Sequence, residues 1–199
     1  MGCLKNIFRA VIIVLVIAGF VSLGGDKLVS SLIKNYFNPP RDVMLERAKK
    51  VGDFSNISDE FEIERAAGMF GYNAVVAEHK ASGQKMIVVD EGKKDLITPQ
   101  DIESPDVERK LQDALGKIKY SAVSVENITV TKRGTMTSYG RQVPYVRFDA
   151  RIKKLPVGEV SGIISTVNGQ DGNPRILISA SEKAKYSQLI SDEFFKQVK

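Results

Sequence analysis

The residues best suited to chemistry are cationic and crowd into one stretch. In TKRGTMTSYGRQVPYVRFDARIKK, Lys132, Arg133, Arg141, Arg147, Arg151, Lys153 and Lys154 stand against a single acid, Asp149. A guanidinium presents a planar fork of N–H donors that fits phosphate or carboxylate oxygens in pairs. On a strand, side chains alternate between faces, so Arg147 and Arg151 share one face with Tyr145. Arg141, Tyr145, Arg147, Arg151 and Lys153 are therefore the candidate ligand-binding residues, and an anionic ligand is the expected partner. A merely solvated strand face is the simplest alternative. Basic and aromatic residues together also suit nucleic acid, but a domain outside the cytoplasm would rarely meet it, and no nucleic acid is expected.

Other chemistries find little support. His79 is the sole histidine and Cys3 the sole cysteine, so a zinc site would need carboxylates beside one imidazole, unlike the usual ligand sets. His79 could serve a Ser-His-Asp arrangement, yet no serine sits in a G-x-S-x-G elbow. No G-x-G-x-x-G or Walker loop occurs. Glu60, Glu62 and Glu64 alternate on one strand face, which reads as a wet surface before it reads as a cation site. Asp171 and Asn173 lack the EF-hand spacing and its final glutamate and read as turn residues. No catalytic residue, metal or cofactor is expected. A hydrolase-like enzyme using a carboxylate or His79 in a cleft is the alternative.

The elements that must position these residues predict an α+β fold: a largely antiparallel sheet of about six to seven strands covered by helices. DVMLERAKKV reads as a helix with Val43, Met44, Arg47, Ala48 and Val51 on one face and a stop at Gly52. EFEIE alternates as a strand, and 67–71 marks a turn or bulge. YNAVVAEH and KMIVVD form a hairpin through Lys80–Gly83. Ser104-Pro105-Asp106 opens a helix with a hydroxyl, a proline and an acid at its positive end, burying Val107, Leu111, Ala114, Leu115 and Ile118. AVSVENITV has a phase break near Glu126, as a bulge would give. VPYVRFDARI alternates, and GEVSGIISTV and RILISA flank the turn cluster 168–173. The last helix carries Tyr186, Leu189, Ile190, Phe194 and Val198 inward, with Ser181 as its expected cap.

This layout resembles the PsbP/Mog1-like α/β/α sandwich. The resemblance runs from about Asp53 to Lys199 and is carried by YNAVVAEHKASGQKMIVVD, the helix from Ser104 and the ending GEVSGIISTVNGQDGNPRILISASEKAKYSQLISDEFFKQV. It is one of layout, without an invariant motif, so it transfers no site residue. It implies a non-enzymatic binding or assembly factor.

Ahead of this domain (residues 41–199) lies AVIIVLVIAGFVSLGG, Ala10–Gly25, preceded by Lys5 and Arg9 in a basic tail of residues 1–9. A spanning helix needs about 17–25 residues. Ile7 and Phe8 lengthen the apolar run if Arg9 snorkels. KLVSSLIKNYF then repeats apolar pairs every four residues, as an amphipathic continuation would, until Asn38-Pro39-Pro40 breaks the helix and forms a linker. Residues 10–37 are thus expected to be an N-terminal transmembrane helix with an amphipathic extension, in contact with the lipid bilayer. Cleavage after Ser22-Leu23-Gly24 would instead release a secreted chain, and a buried core helix is a third reading. The short basic tail predicts a single-pass protein with its N-terminus cytoplasmic and its domain outside. M-G-x-x-x-[ST] fails at Asn6, so no myristoylation is expected.

Of the net charge of +5, the first forty residues hold +3, residues 41–106 hold −5 and residues 107–199 hold +7. Such polarity hints at partners. The functional expectation is a membrane-tethered, extracytoplasmic, non-catalytic binding or assembly domain whose partner is a membrane or envelope protein or an anionic ligand. A structural envelope subunit is a further alternative.

Overall fold

The computed structural model describes residues 40–69, 72–92, 97–116, 124–153 and 159–199. Its elements run α1 (Arg41–Lys49), β1 (Phe61–Met69), β2 (Tyr72–His79), β3 (Lys85–Asp90), α2 (Pro99–Glu103), α3 (Val107–Gly116), β4 (Ser124–Ser138), β5 (Arg141–Lys153), β6 (Glu159–Asn168), β7 (Pro174–Glu182) and α4 (Gln188–Gln197). The predicted transmembrane segment and amphipathic extension lie outside the described residues. Among those residues, no helix is long and apolar enough to cross a membrane.

All seven strands join one sheet in the order β1-β2-β3-β7-β6-β5-β4. Every neighbouring pair is antiparallel, as short loops between consecutive strands demand. One long excursion between β3 and β4 carries α2 and α3. It starts β4 at the far edge, and the chain then folds back strand by strand until β7 closes the middle beside β3. The α+β class with a largely antiparallel sheet follows.

Helices lie on both faces. On the face that carries Tyr145, α1 and α4 bury Ala48, Phe194, Phe195 and Val198 against Phe61, Val75, Met86, Val88, Ile163 and Leu177. Phe194 is the hub, with ring centroids 5.2 Å from Phe61 and 5.4 Å from Phe195. The face that carries Val146 buries Phe148, Ile164 and Ile176 together with Ile102, Val107 and Leu111 of α2 and α3. On this face the Arg133 guanidinium donates to the last carbonyls of α2, at 2.9 Å from Ser104 O and 3.2 Å from Ile102 O, the end where a cation opposes the helix dipole.

Two cross-strand pairs shape the basic hairpin. Gly134 pairs with Tyr145, and Gly162 pairs with Phe148. A Cβ added at Gly134 would meet the Tyr145 ring at 2.9 Å, and one at Gly162 would meet Phe148 at 2.8 Å. Each ring therefore lies over the glycine opposite it, covering backbone that a bare glycine would leave wet.

Several expectations are corrected. The strand expected to end at Val130 runs on to Ser138, and β5 begins at Arg141, so TSYGRQ is the tip of a long hairpin. Its two-residue turn has positive φ at Tyr139 (50°) and Gly140 (70°), the primed geometry that matches strand twist. Pro144 fits β5 because β6 pairs only from Tyr145 onward. The break near Glu126 is present as a register shift between Val125 and Asn127. Val43 and Leu189, expected inside, are exposed. Phe195 takes the buried place instead. Ser181 lies in β7, and Ser187 precedes α4. An additional short helix, α2, is opened by a Thr98–Asp101 capping box.

Candidate functional site

Sheet register sorts the five candidate residues. Arg141 pairs with Ser138 at the hairpin tip, and Arg151 pairs with Asn127 near the other end. Ten residues of extended strand separate them, about 33 Å, so they cannot share a compact ligand. Tyr145 is 5% exposed and packs in the core over Gly134; its ring is not on the open surface. Lys153 enters only as the backbone partner of Ser124. Arg147 and Arg151 remain together on the open part of the Tyr145 face.

Arg147 sits between Lys132 on β4 and Ile163 on β6. Its guanidinium carbon stands 4.9 Å from the centroid of the Tyr186 ring. Such a cation–π contact contributes about 0.5–1 kcal/mol at an exposed site and holds the planar fork in one orientation. Burial pushes the Tyr186 phenol up to about 12, so the hydroxyl keeps its proton. That hydroxyl lies 3.1 Å from Ser191 Oγ.

Behind Tyr186 lies a buried polar network. Gln84 is fully buried, and its Nε2 is 2.9 Å from Ser179 Oγ, Ser187 O and Ser191 Oγ. Its Oε1 accepts from the Ser187 N–H at 2.9 Å. Gln84 thus ties the start of α4 to β7, and α4 in turn positions Tyr186.

Asp149, the lone acid of the basic stretch, is committed elsewhere. Ser161 Oγ donates to it at 2.5 Å, and Lys183 Nζ reaches it at 3.1 Å. Burial works against its ionisation, yet Ser161 and Lys183 hold its carboxyl below the usual carboxylate range. Among the described residues no carboxylate stands within ion-pair distance of Lys132, Arg147 or Arg151, but two acids share their surroundings: Asp149 lies between the two arginines on the same face, where the Arg147 charge helps to lower its pKa, and Glu159 faces Arg151 across the β5–β6 ladder. Lys132 and Arg151 are exposed, as are Asn127 and Thr129 beside them.

The remaining candidates are occupied with structure. His79 Nδ1 lies 2.9 Å from Ser82 Oγ and accepts from the Ser82 N–H at 3.3 Å, while its ring packs on Phe61 at 5.4 Å. The imidazole thereby orders the β2–β3 turn. The expected glutamate row is broken by a bulge between Ile63 and Arg65. Glu64 instead joins Glu78 around Lys85 Nζ, each at 2.8 Å. Burial, then the neighbouring Glu78, raises the Glu64 pKa, while the hydrogen bond from Glu64 lowers that of Glu78. Asp171 accepts from Asn173 within the turn and from Arg175 at 2.9 Å. Among the described residues no three His, Cys, Asp or Glu side chains gather as they would around a metal ion.

Sequence reasoning misses Tyr186 and Lys183, and it names Lys132 in the basic stretch without placing it among the five candidates. Tyr186 read as a core residue of the last helix. Its half-buried ring in fact precedes α4 and reaches across to β5.

Fold and patch together define an α+β domain with a seven-stranded antiparallel sheet and a cationic open surface on β4–β5. No protein-family model matches the chain, and no curated protein matches it in sequence.

Proposed function

We propose that this chain is a membrane-tethered, extracytoplasmic, non-catalytic binding domain: residues 10–37 anchor it, and the Lys132–Arg147–Arg151 patch engages an anionic or envelope partner. The observation that carries this reading is the Arg147 guanidinium fixed over Tyr186 while Asp149, the nearest acid of the hairpin, is held by Ser161 and Lys183. A cation kept in one orientation loses less rotamer freedom on gripping an oxyanion, so the patch is prepared for binding. The sheet with helices on both faces also supports kinship in layout with the PsbP/Mog1-like sandwich, which is fold analogy and lends no site.

Alkaline extraction tests the anchor: the chain stays with the membrane pellet, and release into the supernatant overturns the tether. Co-purification from detergent extracts tests the patch. Arg147→Glu with Arg151→Glu should strip away partners that the unaltered full-length chain retains, with its thermal transition preserved. An unchanged set of partners rejects this surface.

A further inference from the structure

We infer that the patch docks a protein through a composite surface, in which the arginines of β5 flank an apolar anchor made by Tyr186 and Leu189. The partner offers carboxylates to Arg147 and Arg151 and an apolar recess to Leu189. This rests on the reading of the patch as a binding surface, and it names the class of partner that the surface takes.

Three observations lead to a protein rather than a uniform polyanion. The first is the pattern of sign. Arg147, Asp149 and Arg151 share one face of β5, Lys132 stands across from Arg147, and Glu159 stands across from Arg151. Lys183 Nζ lies 3.1 Å from Asp149 and 3.3 Å from Glu159. Acids are thus interleaved with the cations. An even array of phosphates would meet Asp149 and Glu159 as well as the arginines, and like charges brought face to face cost affinity. A folded protein can set its carboxylates opposite the arginines alone.

The second is apolar. Leu189 is 78% exposed, against 41% for Leu45 and 37% for Val43, the other large apolar side chains on the described surface. A lone exposed leucine is ordinary. This one follows Tyr186 by three residues, a reach of at most about 11 Å, and the Tyr186 ring carries the Arg147 guanidinium at 4.9 Å. Arginine and tyrosine around an apolar centre, with charges at the rim, is how protein interfaces are built. A polyanion gains nothing from the leucine.

The third is rigidity. Arg147 belongs to a strand paired on both sides. The Tyr186 hydroxyl lies 3.1 Å from Ser191 Oγ, which the buried Gln84 amide reaches at 2.9 Å. Gln84 also fixes the start of α4, the turn that carries Leu189. Charges and anchor therefore keep one spacing, and a partner that matches it loses little to ordering. The surface is also clear of the helix that the linker enters. That helix, α1, packs on β1 and β2, and β5 lies five strand spacings from β1, about 24 Å.

The test places a benzophenone side chain in the full-length chain in place of exposed Ala184, beside Lys183, and irradiates its native membranes. A second chain carries the same group in place of exposed Glu62 on β1. Mass spectrometry identifies each adduct down to the joined residue. Docking predicts one polypeptide adduct from position 184, absent from position 62, with the joined residue in an apolar site ringed by Asp or Glu. Leu189→Ser and Arg151→Glu, both at exposed positions, should each cut that adduct roughly fivefold or more, with the thermal transition preserved. An adduct that falls in Arg151→Glu but not in Leu189→Ser overturns the apolar anchor and this inference, and leaves the cationic patch standing. An adduct moved by neither substitution rejects the patch itself. Adducts to lipid or glycan alone, the same polypeptide from position 62, or no polypeptide adduct at all overturn protein docking.

Discussion

Tyr139 and Arg175 donate to the same acceptor: Val51 O lies 2.9 Å from Tyr139 Oη and 2.8 Å from Arg175 Nε. The hairpin tip, the start of β7 and the loop after α1 are thereby pinned at one point. Arg175 also reaches Asp90 at 2.7 Å, both groups nearly fully buried. Removing one member of a buried pair leaves an uncompensated charge, at a cost of about 3–5 kcal/mol. Arg175→Met should therefore lower urea-unfolding stability by about that amount. Adding Asp90→Asn should recover part of the loss, because the second charge is then gone. Tyr139→Phe removes one neutral hydrogen bond while Val51 O keeps the Arg175 donor, and should cost about 0.5–1.5 kcal/mol.

The glycines under the aromatic rings give a second prediction. A methyl group at Gly162 would strike both Ser179 O and the Phe148 ring. Gly162→Ala should destabilise by about 1–3 kcal/mol through overpacking, seen as a lower denaturation midpoint. Tyr145→Phe keeps the ring over Gly134. It should leave both stability and partner capture close to those of the unaltered chain, in contrast to Arg147→Glu and Arg151→Glu. A loss of capture in Tyr145→Phe would return that residue to the binding surface.

The hairpin also explains which parts of the fold were legible beforehand. VPYVRFDARI alternates because β5 buries Val146, Phe148 and Ala150 on one face and turns Arg147, Asp149 and Arg151 toward the more open one, and alternation is what sequence patterns report. KRGTMTS does not alternate, since β4 is an edge strand with a bulge between Val130 and Lys132; its strand character comes from pairing with β5. Tyr145 looked like a ligand group because it follows the same period as Arg147, and period cannot say where along a strand the core ends. Arg175 was invisible as a buried cation because its partners, Asp90 and Val51 O, are brought to it only by the sheet order. Leu189 and Phe195 exchange roles for a similar reason: both suit a helix interior, and only the docking angle of α4 decides between them.

Acid should unfasten the α2 cap. Asp101 accepts from Thr98 N and Oγ1 at 3.1 and 2.8 Å and from Lys110 Nζ at 2.7 Å. Burial opposes its charge, but Lys110 and Thr98 hold its pKa below the ordinary 3.8. For a carboxyl depressed in the folded state, the stabilisation is present above the unfolded pKa and vanishes as pH falls through the folded one. Asp101→Ala should cost about 1 kcal/mol at neutral pH. The stability gap between it and the unaltered chain should close as pH drops below 3.8. A gap that stays constant into acid would show that the carboxylate charge contributes nothing there.

The β4 edge is guarded by α3, and that guard can be removed. Glu108 Oε2 accepts from Val130 N–H and Gln112 Oε1 from Ile128 N–H, both at 2.8 Å. These two donors point away from β5, where another strand would otherwise pair. Unpaired edge donors template association between chains. Glu108→Ala with Gln112→Ala opens both of them while leaving Val107 and Leu111 in the core. The doubly substituted chain should keep its circular dichroism at low concentration and self-associate as concentration rises, measured by sedimentation velocity in detergent. Thr129→Lys, at an exposed position on the strand itself, should suppress that association by placing charge on the edge. If the doubly substituted chain sediments like the unaltered one across the concentration range, α3 is not what keeps this edge from pairing.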